Sequence, residues 1–185
     1  MAYRNGTYVA FHANGTNIPG KSDIDYYNLM KAWTAKTDDE FTMNNSHDKA
    51  SAVRDSSLKS TLRASLLERL RNSKNMVLII GETTLLDDDW VPFEIGNAID
   101  TYKIPIIAAY TACAKPIRNP SALSKYWPNS LAVRISSGKA KVIHVPFKKA
   151  ALLDATSQFS HNVLPLGGGL GIYGDNAYAA FGISG

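Results

Sequence analysis

One carboxylate, Glu94, stands in a setting suited to chemistry. The run Trp90-Val-Pro-Phe-Glu-Ile95 opens a helix expected from about Pro92 to Tyr102, with the proline tolerated in its first turn. Glu94 would then sit in that first turn, where the helix dipole stabilises its anion. Ile95, Ala98, Ile99 and Tyr102 form the apolar face, so Glu94 lies at the edge of the buried stripe and partial burial opposes its ionisation. Trp90, one turn earlier, offers an aromatic wall. A carboxylate so placed can offset positive charge developing on a bound molecule. Taken alone, an acid in a first turn needs only the dipole to explain it. Its neighbours decide.

Those neighbours include His12, after a β-rich run, and His47, in a polar loop; packing or surface roles account for either equally well. Ser46-His47-Asp48 is no catalytic triad, because adjacent residues of one loop do not easily reach the relay geometry. Four histidines and one cysteine lack the spacing of a metal site, so no metal is expected. Asp87-Asp-Asp89 reads as a helix start and solvated loop. Gly169-Leu-Gly-Ile-Tyr-Gly174 matches the dinucleotide glycine pattern in letters only, since that pattern works between a strand and a helix with an acid about 20 positions later.

The elements that must position these residues alternate. Thr7 to Phe11 reads as a strand and about Ile24 to Lys36 as a helix capped by Ser22 and Asp23. Phe41 to Met43 is a short strand candidate. Leu58, Leu62, Leu66 and Leu70 recur every four residues, with charged side chains on the other faces, which marks a helix. Asn75 to Ile80 and Ile104 to Tyr110 are unbroken apolar strands, as expected where helices cover both faces of a sheet. Val142 to Val145 is the last strand expected. This order describes an α/β, flavodoxin-like fold: a parallel central sheet flanked by helices, with ligands at the strands' carboxyl ends. Those ends are the loops beginning at His12, Asn44 and Gly81.

Composition agrees. With 45% hydrophobic and 19% charged residues, 185 residues can bury one real core. A net charge of +4, spread between Arg54–Lys74 and Arg134–Lys149, does not describe a nucleic-acid binder. The longest near-apolar run, Ile104 to Ala114, is too short to span a bilayer, so no membrane partner is expected. The N-terminal residues lack a hydrophobic signal core and Cys113 has no cysteine to pair with, which points to a cytoplasmic location. Ala155 to Gly185 carries one charged residue, Asp175; it either packs back or serves an interface.

Together, Tyr8-Val-Ala-Phe-His12, Asn45-Ser-His-Asp48, Met76-Val-Leu-Ile-Ile-Gly-Glu-Thr-Thr84 and Trp90-Val-Pro-Phe-Glu-Ile95 resemble the TIR family. The likeness is to the TIR-like proteins of bacterial Thoeris-type antiphage defence. It covers roughly residues 5 to 112, and the Gly81–Thr84 and Trp90–Ile95 segments are its most specific part. It divides the chain into a TIR-like domain, residues 1–150, and a glycine-rich, charge-poor C-terminal extension, residues 151–185.

The resemblance implies an enzyme that splits NAD, as substrate rather than cofactor, into nicotinamide and an ADP-ribose product, often a cyclised signal. The family's catalytic glutamate falls on Glu94. Substrate contacts fall by position on Phe11, His12, Ser46, His47, Asp48, Thr83 and Trp90. Implied partners are NAD, a downstream effector sensing the nucleotide product, a phage-derived trigger and further copies of the chain. Nicotinamide leaves without needing a proton, so one carboxylate suffices where ordinary glycosidases need two. The alternative is a non-enzymatic TIR-like scaffold working through homotypic assembly. A response regulator is more distant, because Gly81 follows Ile80 where it would need an aspartate.

Overall fold

The computed structural model describes residues 4–14, 22–35, 43–44 and 56–185. Its chain order is β1 (Gly6–Ala10), α1 (Ile24–Thr34), β2 (Met43–Asn44), α2 (Ser56–Arg71), β3 (Ser73–Ile80), α3 (Trp90–Gly96) and β4 (Ile106–Tyr110), then α4 (Asn129–Ser136), β5 (Val142–Pro146), α5 (Lys149–Gln158), β6 (Gly171–Ile172) and α6 (Asp175–Ala180). The sheet order is β2-β1-β3-β4-β5-β6. Every neighbouring pair is parallel, as the expected flavodoxin-like α/β fold requires.

Alternation along the strands divides the core between the two faces. Tyr8, Ala10, Met76, Leu78 and Ile80 point to one face, where Leu62, Leu66 and Leu70 of α2 and Val91, Ile95 and Ala98 of α3 cover them. Val9, Phe11, Val77 and Ile79 point to the other, against Ile24, Tyr27 and Met30 of α1 and Ala151, Leu152 and Ala155 of α5. Fully burying each leucine or isoleucine contributes about 1.5–3 kcal/mol. The leucine repeat of α2 therefore docks that helix beside α3.

Two expectations shift. The helix carrying Glu94 begins at Trp90 and closes in a π-turn, Asn97–Thr101, so Pro92 is its third residue. Proline is tolerated there because the first-turn N–H groups have no intrahelical partner. Val142–Pro146 is also not the last strand: β6 pairs with β5, through Gly171 opposite Ile143 and Ile172 opposite His144. The division at residue 150 runs through the first turn of α5. The charge-poor extension packs back, and its Phe159, Tyr178 and Ile183 join the second core.

The glycines of that extension serve close packing. A Cβ on Gly169 would lie 2.9 Å from Ile135 Cγ2, and one on Gly171 would lie 2.5 Å from the Val142 carbonyl oxygen. They precede and enter a strand, so they do not form a phosphate loop after one.

Candidate active site

Glu94 is 0% exposed. With the helix starting at Trp90, it stands in the second turn, and no acid occupies the first. The dipole role expected of it belongs to Asp87, whose Oδ1 accepts the backbone N–H groups of Trp90 at 2.8 Å, Asp89 at 3.1 Å and Val91 at 3.2 Å. Glu94 is held by a side chain from the sheet instead: the Tyr8 hydroxyl donates to its Oε1 at 2.5 Å. Burial, and then the negative charge of Glu94, hold the Tyr8 phenol well above its usual pKa, so it remains a neutral donor.

Tyr8 is set by the sheet register. It pairs with Met76 of β3 on one side and Asn44 of β2 on the other. The end of β2 is thus level with the tyrosine that binds Glu94. Ser46, His47 and Asp48, expected on that loop, lie outside the described residues.

The remaining candidates are distributed unevenly. Trp90 is half-buried on the Glu94 face, with Lys59 Nζ 5.6 Å and Arg63 Cζ 5.8 Å from its ring centre. Asp89 fixes both cations, at 2.5 Å to Lys59 and 2.9 Å to Arg63. Such cation–ring contacts hold the indole in place on α3. Phe11 is buried on the opposite face, stacked on Tyr27 with ring centres 4.9 Å apart. The structure therefore does not bring Phe11 together with Glu94. His12 is half-buried where β1 ends.

Thr83 is half-buried ahead of a 3-10 turn, Thr84–Leu86, and its carbonyl accepts the Leu86 N–H at 3.0 Å. Its neighbour Thr84 is fully buried and bonds three groups: the Gly81 N–H at 2.8 Å, Asp23 Oδ2 at 2.8 Å and the Ile79 carbonyl at 3.3 Å.

Sequence reasoning missed Tyr8, Asp23 and Thr84 as partners of the site. Tyr8 was within reach, since strand alternation places it with Ala10 on the face that α3 covers. Asp23 read as a helix cap, which hid its contact with a loop 61 positions away.

A buried carboxylate that accepts from a neutral phenol of β1, against a doubly wound parallel sheet, defines an α/β domain with an acid-bearing site. A sequence model described as "Thoeris protein ThsB, TIR-like domain" matches residues 8–115. The chain belongs to that family. Among solved structures, it is similar to a conserved protein from Enterococcus faecalis V583, at 19% identity and a TM-score of 0.52, covering 84% of this chain and 98% of that one. That likeness speaks to the fold.

Proposed function

We propose that the chain cleaves the nicotinamide–ribose bond of NAD, with Glu94 as the catalytic carboxylate, and yields a cyclic or conjugated ADP-ribose signal in antiphage defence. The observation that carries this is the fully buried Glu94 carboxylate, fixed by Tyr8 at 2.5 Å, in a chain of the Thoeris family. Bond cleavage leaves an oxocarbenium-like sugar and a neutral leaving group. A fixed negative group in a water-poor site stabilises that cation far better than one in bulk water. Tyr8 keeps the carboxylate from rotating, so little reorganisation is needed as charge develops. Trp90, steadied by Lys59 and Arg63, presents a ring to which an aromatic base can stack.

Complete coverage of Glu94 also supports an enzyme held idle until a phage-derived trigger opens the site. A downstream effector sensing the product completes the reading, with a cytoplasmic setting where NAD is available. No helix among the described residues is long and apolar enough to cross a membrane.

The test is nicotinamide release from NAD by the purified chain, with products identified by mass spectrometry. Release by wild type and its loss in Glu94→Gln support the proposal; equal turnover by both refutes it.

One observation favours the scaffold reading. Val163, Leu164, Leu166 (90% exposed), Leu170 and Ile172 form an apolar stretch open to solvent. Concentration-dependent self-association, lost on changing Leu166 and Ile172 to Ser, with no NAD turnover under any condition, would replace the enzyme reading with that one.

A further inference from the structure

The loop that follows β4 opens a second hollow at the carboxyl edge of the sheet, apart from Glu94. Glu94 is held by β1, and β3 stands between β1 and β4. Cys113, Lys115, Ile117, Arg118, Asn119 and Leu123 line a cavity of about 380 Å³ there. Small-molecule sites run from about 300 to 1,000 Å³, so the hollow has room for a small ligand.

Its inner wall is apolar. Ile117 is 5% exposed, and Cys113 and Leu123 pack on the same core. Burial raises the Cys113 thiol pKa, so the sulfur stays neutral and behaves as apolar surface. Its rim is cationic. Lys115 has no carboxylate partner among the described residues. Arg118 gives Nε–H and one Nη2 hydrogen to Asp175 Oδ1, at 3.1 Å and 2.8 Å, which leaves the Nη1 end of its fork available.

Asp175 itself lines a neighbouring cavity of about 380 Å³, with Tyr178 and Ile183, that shares Pro116 and Arg118 with the first. The Tyr178 hydroxyl accepts the Ile117 N–H at 3.3 Å, so α6 fixes the wall between the two. The acid repels an anion from its own side. Among the described residues, no acid lines the Cys113 side.

We propose that the Cys113 cavity binds a small organic monoanion, a carboxylate on an apolar body. The open end of the Arg118 fork and Lys115 Nζ take the carboxylate, while Cys113, Ile117 and Leu123 take the body. The planar fork matches two carboxylate oxygens. Lys115, Arg118 and Asp175 leave one net positive charge, which a single carboxylate cancels. A phosphate dianion would overshoot it and face Asp175 as a like charge. The site does not depend on NAD cleavage.

The experiment uses the full chain with benzoate, benzamide and phenyl phosphate as probes. Cys113 is the only cysteine, so its alkylation by iodoacetamide reports on this cavity. Millimolar benzoate slows alkylation about fivefold or more, and benzamide, of the same shape without the charge, leaves it within about twofold. Phenyl phosphate binds more weakly than benzoate.

Two variants break the same surface pair and move binding in opposite directions. Arg118→Gln weakens benzoate about tenfold or more, whereas Asp175→Asn, which frees the guanidinium, tightens it about threefold. Both fold, because an ion pair with side chains 58% and 73% exposed adds little to stability. A purely structural role in docking α6 would move both variants the same way. That outcome, equal protection by benzamide, tighter binding of phenyl phosphate, or no protection by benzoate overturns the site.

Discussion

The Glu94 face of the sheet holds two tyrosine-centred polar contacts, and they are built differently. At β1, Tyr8 donates to a carboxylate. At β4, the Tyr110 hydroxyl accepts from Trp127 Nε1 at 2.6 Å and faces His144 Nδ1 at 2.8 Å, while His144 Nε2 meets the Gly169 carbonyl at 2.9 Å. A carbonyl only accepts, so Nε2 carries the proton, Nδ1 is bare and Tyr110 donates to it. Every group in that chain is matched, and all of it is neutral. Burial drives the His144 pKa down to about 4 and the Tyr110 pKa up, which keeps both uncharged. The comparison separates two uses of buried polarity. The Tyr110 chain ties the C-terminal segment to the sheet, whereas the Tyr8 contact orients a buried carboxyl group.

The comparison can be broken most severely at Glu94. Glu94→Gln keeps the Tyr8 contact and removes the charge, so nicotinamide release should fall by about 10²–10³-fold or more. Its melting temperature should stay within a few degrees of wild type. A large loss of stability with retained turnover would mean that the two contacts had been assigned the wrong way round.

His144→Ala should show the opposite pattern. It leaves the Tyr110 hydroxyl proton and the Gly169 carbonyl without their His144 partner and opens a cavity, a loss of about 3 kcal/mol in chemical denaturation. A change below roughly 1 kcal/mol would say that the relay is ornamental.

Acid sharpens the same point. His144 binds its proton near pH 4 when folded and near 6.5 when unfolded, so the unfolded chain holds more protons between those values. Stability should therefore rise with pH across that window, by up to about 3 kcal/mol, and fall as pH drops from 6.5 to 4. Denaturation at a series of pH values should show this rise in wild type and a flatter profile in His144→Phe.

The smallest effect is expected from Tyr8→Phe. Losing the donor removes one of the contacts that orient the Glu94 carboxylate, which should lower kcat about tenfold, or roughly 1.4 kcal/mol. KM should change less. An unchanged kcat would confine Tyr8 to packing.

Much of this architecture can be read from side-chain pattern alone. The Leu62, Leu66 and Leu70 stripe and the unbroken apolar strands β3 and β4 announce covered sheet faces, because burial imposes their periodicity. Glu94 was visible by its company. What was hidden depends on long-range geometry. Pro92 suggested a later helix start than Trp90, because proline is at home anywhere in a first turn. Thr83 and Thr84 are chemically alike, and only the path of the backbone turns Thr84 inward to Asp23. Phe11 lies one residue from His12, yet strand alternation sends its ring away from Glu94. Beyond residue 150, α5, β6 and α6 are short and almost without charge, so no amphipathic contrast marks them.

The sixth strand bears on how this protein is handled. The segment that the family shares ends at residue 115, soon after β4, while β5 and β6 finish the sheet further on. A fragment cut to the shared segment would leave the amide and carbonyl groups of Ile106–Tyr110 without their β5 partners, along a strand buried on both faces. Naked edges of that kind recruit other chains. Such a fragment should precipitate on expression, and a soluble product calls for retaining the sequence through α6.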